Sequence, residues 1–230
     1  MTVEPRWYSA LTTALGAHGD SKPYQLATID SSNKPRVRSH IHRGFVVAQS
    51  HPALPVLLTS TDVRARKTLQ IAHNNAVEIA WWIPETGDQF RIAGRARVVP
   101  APGIPPPRGP LADCTALAAL DAASFDWEAK RLDVFDAVDT ELRASWCTPT
   151  PGARLIDGYE TMNGWPSAVE KPSDAQTEEE KKLSQQALGK FALMVIEPLE
   201  VDWVQMNVVP NRRTRFIRSG KGWREEPVVP

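Results

Sequence analysis

Residues 56–75, VLLTSTDVRARKTLQIAHNN, carry the reading of the fold. They open on an apolar run, Val56-Leu57-Leu58, which predicts a buried strand. Thr59, Ser60, Thr61 and Asp62 follow, four residue types that cap helices well. The helix expected next has Leu69, Ile71 and Ala72 on its apolar side and Asn74-Asn75 as its stop. Its first turn carries Arg64, Arg66 and Lys67. Cations are disfavoured there, because the helix dipole and the free N–H groups already favour negative charge. Hydroxyls, free N–H groups and cations together suit a phosphate. The plain alternative is a solvated basic turn offset by Asp62.

Upstream, residues 34–47 read KPRVRSHIHRGFVV. Strand alternation puts Val37, Ser39, Ile41 and Arg43 on one face, and Arg38, His40, His42 and Gly44 on the other. Arg38 and Arg43 share a face only if the strand bends, and Gly44 could mark the bend. The competing reading is an edge strand whose charges discourage aggregation. Downstream, AVEIAWWI (Ala76–Ile83) is a strand with Trp81 and Trp82 on opposite sides, one for the core. Residues 89–99, QFRIAGRARVV, form its partner across a turn at residues 84–88.

These stretches occur in a fixed order. A hairpin ends in P-x-x-R-x-x-x-x-R-G-F, a strand runs into T-D-x-R-x-x-K and a helix, and an aromatic strand precedes D-Q-F-R-I-x-G. That order resembles the FMN-binding split-barrel family of pyridoxamine 5′-phosphate oxidase, and more narrowly its divergent FMN-binding-domain branch. The likeness is strongest over residues 24–99 and weaker over 201–230. It implies a mainly β chain with flanking helices (α+β), an antiparallel split β-barrel, and a homodimer that binds FMN.

Composition agrees. The chain has 230 residues, 42% hydrophobic, enough for a full core. Lys+Arg and Asp+Glu are 27 each, which argues against nucleic acid or an anionic membrane as partner. Cys114 and Cys147 lack metal-type spacing and read as free thiols of a reducing compartment. No signal-like segment and no run of about 20 apolar residues is present, so a cytoplasmic protein is expected.

The rest of the chain frames the barrel. A helix is expected over Arg6–Ala17, and a strand over residues 24–30 followed by a turn at Ser31-Ser32-Asn33-Lys34-Pro35, from which the Arg-bearing strand of residues 34–47 returns. One domain over residues 1–230 is expected, with a Pro/Ala-rich insertion at about 100–126 that opens on a proline loop over 100–110. A long helix is expected over residues 127–145 and another over 176–190. Residues 191–206 give one or two strands interrupted at Pro198. Residues 212–218 and 222–229 close the fold as a hairpin. About eight such strands without βαβ alternation fit an antiparallel barrel.

The resemblance also implies a site. Arg38 and Arg43 match the two cations of the family's first FMN strand. Thr61, Arg66 and Lys67 match the threonine and basic pair that hold the phosphate, with Ser39 and Ser60 as neighbours. Gln89 matches the glutamine that reaches the flavin. Trp203 and Arg215 match the tryptophan and arginine contributed by the other subunit. Three departures stand out. Ala65 replaces a serine, Ser60 replaces a tyrosine, and Asn211-Arg212-Arg213-Thr214-Arg215 lacks the R-x-H signature that grips pyridoxal phosphate. FMN binding is therefore the primary expectation, with an unassigned two-electron oxidoreductase activity. The alternatives are a true pyridoxamine/pyridoxine 5′-phosphate oxidase, a non-enzymatic flavin or haem binder, and an interaction module without cofactor. His40 and His42 suit either proton transfer or a structural role. No metal ligand set and no catalytic residue is identified.

Overall fold

The structure, a computed structural model, describes residues 4–105, 114–156 and 158–230. In chain order the elements are α1 (Arg6–Ala17), β1 (Pro23–Ile29), β2 (Pro35–Ile41), β3 (Gly44–Val46), β4 (Val56–Asp62), α2 (Arg66–His73), β5 (Ala76–Ile83) and β6 (Asp88–Val99). Then follow α3 (Thr115–Ala122), α4 (Trp127–Asp136), α5 (Thr140–Ala144), α6 (Glu178–Lys190), β7 (Phe191–Gln205), β8 (Arg212–Ser219) and β9 (Gly222–Val228). Every described strand pair is antiparallel, and the strand order is β2-β1-β5-β6-β7-β4-β3, with β8 and β9 continuing from β7.

The two ends of that order, β2 and β3, are consecutive in sequence. The chain leaves β1 after Ile41 and joins β4 at Gly44, so a single bend carries it from one end of the sheet to the other. Gly44 makes the bend at φ +116°, a conformation open to a residue without Cβ. His42 N–H donates to Lys22 O and Arg43 N–H to Leu58 O, so the bend keeps its backbone satisfied.

β7 is buried on both faces because two cores meet on it. Ala192, Met194 and Ile196 join the barrel interior with Leu26, Trp81 and Phe90. Phe191, Leu193 and Val195 face the second core, under Leu117, Phe135 and Trp146. This explains the unbroken apolar run at residues 191–196. β6 alternates as expected, with Phe90, Ile92, Gly94, Ala96 and Val98 inward, and Trp81 is fully buried while Trp82 is 46% exposed.

Four expectations need correction. Pro198 does not split β7; it sits at a bulge opposite Gly94, where the edge of β7 changes partner from β4 to β8. Residues 127–145 are not one helix. α4 stops at Asp136 and α5 restarts at Thr140, because the buried Arg143 guanidinium takes Val138 O and ties down the break. Thr59 to Asp62 do not cap α2 but end β4; the N-cap is Ala65, which gives no side-chain bond. Leu69 is 72% exposed, and α2 buries Thr68 and Ile71 instead. The expected proline loop at 100–110 lies partly outside the described residues. No helix among the described residues is long and apolar enough to cross a membrane.

Candidate functional site

Three elements converge beside the bend between β2 and β3. The end of β2 brings Ser39, His40 and Ile41, and the bend itself brings Arg43. β4 ends on Ser60 and Thr61, and the start of α2 adds Ala65 and Lys67. Opposite them stand Leu142 of α5 and, just beyond it, Trp146 and Thr148. Together they enclose a cleft of about 440 Å³, within the range of small-molecule sites.

The one carboxylate among the cleft's described lining residues, Asp62, is held by Arg64. Arg91 and Arg213 share Asp202, Arg215 pairs with Glu200, and Arg218 pairs with the buried Glu197. Arg43 and Lys67 form no ion pair or side-chain hydrogen bond among the described residues, and Arg43 Nε is a buried donor without a partner. Burial lowers the Arg43 pKa, partly offset by Asp139. Lys67 is pushed down to about 8, first by burial and then by Arg38, against a weaker pull from Asp62. Both shifts express a cost that an anion in the cleft would relieve. The first amides of α2 also lack helical acceptors by position.

Arg64, expected with this group, is used elsewhere. Its guanidinium grips Asp62 at 2.6 Å and donates to Thr148 O at 3.0 Å, which ties the wall beyond α5 to the end of β4. Arg66 is exposed and unpaired among the described residues. Arg38 sits beside the cleft rather than in its wall. It donates to Thr28 Oγ1, Leu26 O and Gln70 Oε1, and meets no carboxylate.

His40 is 5% exposed and lines the cleft. Its tautomer follows from its partners. Thr59 Oγ1 donates its single proton to Ile41 O at 2.8 Å, so at the 3.2 Å contact His40 Nδ1–H must donate to Thr59. Nε2 is then a bare acceptor, buried and without a partner in the chain. Burial, Lys67 and Arg38 hold the ring neutral, with a pKa lowered to about 3. His42 lies against Phe45 and Trp81 and is lowered to about 4 by burial and Lys22.

Five of the ten residues singled out from sequence thus line one cleft: Ser39, Arg43, Ser60, Thr61 and Lys67. Gln89, Trp203 and Arg215 do not reach it. Gln89 lies on β6 opposite Val204, and Arg215 is held by Glu200. Trp203 stacks on Phe90 in the barrel core, with Nε1 donating to Asp88 Oδ1. The wall from Leu142, Trp146 and Thr148 was not expected at the site. Its signal in the sequence is the R-A-S-W-C-x-P-x-P-G run at residues 143–152, which holds Trp146 and Thr148 ahead of a proline break.

The donor set fits a phosphate dianion: a guanidinium, an ammonium, two hydroxyls and helix amides, with no carboxylate on the cationic side beyond Asp62, which Arg64 neutralises. Ile41, Leu142, Trp146 and Pro151 supply apolar wall for a flat ring.

The chain is similar to known proteins in sequence and in fold. Residues 4–100 match the family described as pyridoxamine 5′-phosphate oxidase, FMN-binding domain. A protein of Arabidopsis thaliana named pyridoxine/pyridoxamine 5′-phosphate oxidase 2 is 27% identical over 97% of this chain and 96% of its own length. The crystal structure of a pyridoxamine 5′-phosphate oxidase-related, FMN-binding protein from Nostoc punctiforme superposes with a TM-score of 0.71, at 22% identity and full coverage of both chains. PhzG from Burkholderia lata, solved with tetrahydrophenazine-1-carboxylic acid, gives a TM-score of 0.58 at 16% identity, over 97% of this chain and 90% of its own. Residues 4–100 are thus similar to the pyridoxamine 5′-phosphate oxidase FMN-binding domain, and the whole chain shares the fold of a pyridoxamine 5′-phosphate oxidase-related, FMN-binding protein.

Proposed function

We propose that the cleft between β2, β4, α2 and α5 binds FMN and that the protein is an FMN-dependent oxidoreductase. The observation that carries this is the pair Arg43 and Lys67, neither in an ion pair among the described residues, beside the Ser60 and Thr61 hydroxyls. Arg43 and Lys67 would neutralise the phosphate, the hydroxyls and the α2 amides would orient it, and the apolar wall would exclude water from the ring. The bound flavin would supply two-electron transfer. Arg38 and the exposed Arg66, outside the cleft wall, form no ion pair among the described residues, and the neutral His40 lines the cleft. Gln89, Trp203 and Arg215 would act from a second copy of the chain, since none of them lines this cleft.

Pyridoxamine phosphate is the less favoured substrate. Arg213 and Arg215, the guanidinium groups nearest the missing R-x-H signature, are both engaged by carboxylates.

The test is FMN titration followed by gel filtration. Retained flavin absorbance is expected in the wild type, and its loss in Arg43→Gln/Lys67→Gln. Lys67 adds a sign. Free Lys67 titrates near pH 8, so above that pH it must take up a proton when the phosphate binds. Affinity should fall by up to about tenfold per pH unit above about pH 8, and stay flat in Lys67→Arg. Equal retention by the wild type and the double variant would remove the cleft as the site.

A further inference from the structure

Beyond Thr148 and Pro151 the cationic cleft continues into a second groove of about 430 Å³. Its floor is the Pro149–Pro151 turn, and its walls are Leu155, Ile156, Met162 and Trp165. The segment is internally tied. Thr148 Oγ1 donates to Ser145 O, Ala153 N–H to Thr150 O, and Trp165 N–H to Met162 O. Ile156 is 87% exposed and Met162 42%, although each forms part of a concave wall. One cation lines the groove, Arg154, and it makes no hydrogen bond or ion pair among the described residues. No carboxylate lines it among the described residues.

We propose that this groove binds the organic substrate of the flavin site, and that the substrate is an apolar ring compound bearing a carboxylate. Apolar walls with an indole and two proline faces suit a flat or alicyclic hydrocarbon skeleton. A guanidinium with no ion-pair partner among the described residues suits a carboxylate, which it can hold bidentately. Met162 lets the wall adapt to the ring edge. A multiply phosphorylated substrate meets too little complementary charge in the groove, because Arg154 is the one cation among its described lining residues. The assignment as substrate site rests on the flavin reading above; the binding property of the groove does not.

Calorimetric titration of the full-length protein, with and without FMN, compares 2-naphthoate with its neutral isostere 2-naphthamide. The naphthoate should bind about tenfold tighter, the value of one charge-assisted contact. Arg154→Gln should abolish that preference without changing naphthamide binding or FMN retention. Met162→Ser should weaken both ligands alike. These positions are exposed, so neither variant threatens the fold. Equal affinity for the two ligands would overturn the proposal, as would displacement of naphthoate by FMN or a preference that survives Arg154→Gln. If naphthoate binds through Arg154 but FMN is not retained, the anion site stands and its coupling to a flavin falls.

Discussion

Ala65 places a methyl group at the N-cap of α2, in the wall of the cationic cleft, where it is 6% exposed. A hydroxyl there would have two uses. It could accept a free N–H of the first helical turn, which is worth about 1 kcal/mol when Ser replaces Ala at an N-cap. It could also donate to a bound phosphate, where a hydrogen bond to a charged group contributes about 1.5–3 kcal/mol. Ala65→Ser is therefore expected to raise the melting temperature of the free protein slightly and to tighten FMN binding by about tenfold or more. Thermal melts and FMN titration of the variant check both. Unchanged FMN affinity would mean that the phosphate does not approach α2. The surrounding residues show what sequence can reach at this scale. Arg43 and Lys67 were legible because each stands at a fixed offset from a bend or a strand end. The loss of Arg64 was not. Its pairing with Asp62, two residues earlier, depends on β4 ending at Asp62 rather than on a cap for α2.

At the scale of elements, the bulge between β6 and β7 decides how the C-terminal hairpin attaches. Gly94 packs so close to β7 that a Cβ on it would lie 2.3 Å from Glu197 O and 3.2 Å from Pro198 Cα. Both contacts are backbone, so no rotamer change relieves them. Pro198 has no N–H, and the bulge is where its absence costs no ladder bond. Beyond it Glu200–Gln205 pairs with β8, while Phe191–Ile196 pairs with β4. Gly94→Ala is expected to destabilise by about 2 kcal/mol or more, read as a lower urea midpoint. Gly16→Ala is the control, since nothing lies within 4 Å of its Cβ on α1, and it should be neutral or stabilising. Equal midpoints for the two variants would show that β7 can slide past the bulge. Sequence pattern marked Pro198 as an interruption because a proline lacks a donor. It carried no sign that a glycine four strand positions past Phe90 would accept the irregularity on the facing strand. The break between α4 and α5 was hidden for a similar reason, since apolar spacing continues through Val138 while Arg143 folds back onto its carbonyl.

For the whole molecule, antiparallel order and the alternating barrel faces were legible, because they follow from local period and turn residues, but the sheet has nine strands where eight were expected, since β3 separates from β2. Closure was not. That β2 and β3 end opposite sides of the sheet order is a property of the complete pairing, visible only once β7 is seen to take β4 as its neighbour. Closure also buries two histidines that alternation alone placed on a strand face, and this makes stability depend on pH. His42 is 8% exposed, stands 4.5 Å from the Phe45 ring and 5.1 Å from the Trp81 ring, and leaves Nδ1 without a partner. In the unfolded chain its imidazole takes a proton below an ordinary value of 6.5, whereas in the fold it stays neutral down to about 4. Between those values the unfolded state binds more protons, so stability falls as pH drops through that window. His40, held neutral to about 3, adds to the same slope. His42→Phe removes one of the two titrations, keeps the ring contacts and deletes an unsatisfied buried nitrogen. The variant should be more stable than the wild type by about 2 kcal/mol at about pH 5, with a smaller difference near neutrality. Melts at the two pH values check this. A wild-type stability that does not fall on acidification, or a variant that falls just as steeply, would mean that His42 gains its proton without leaving the barrel.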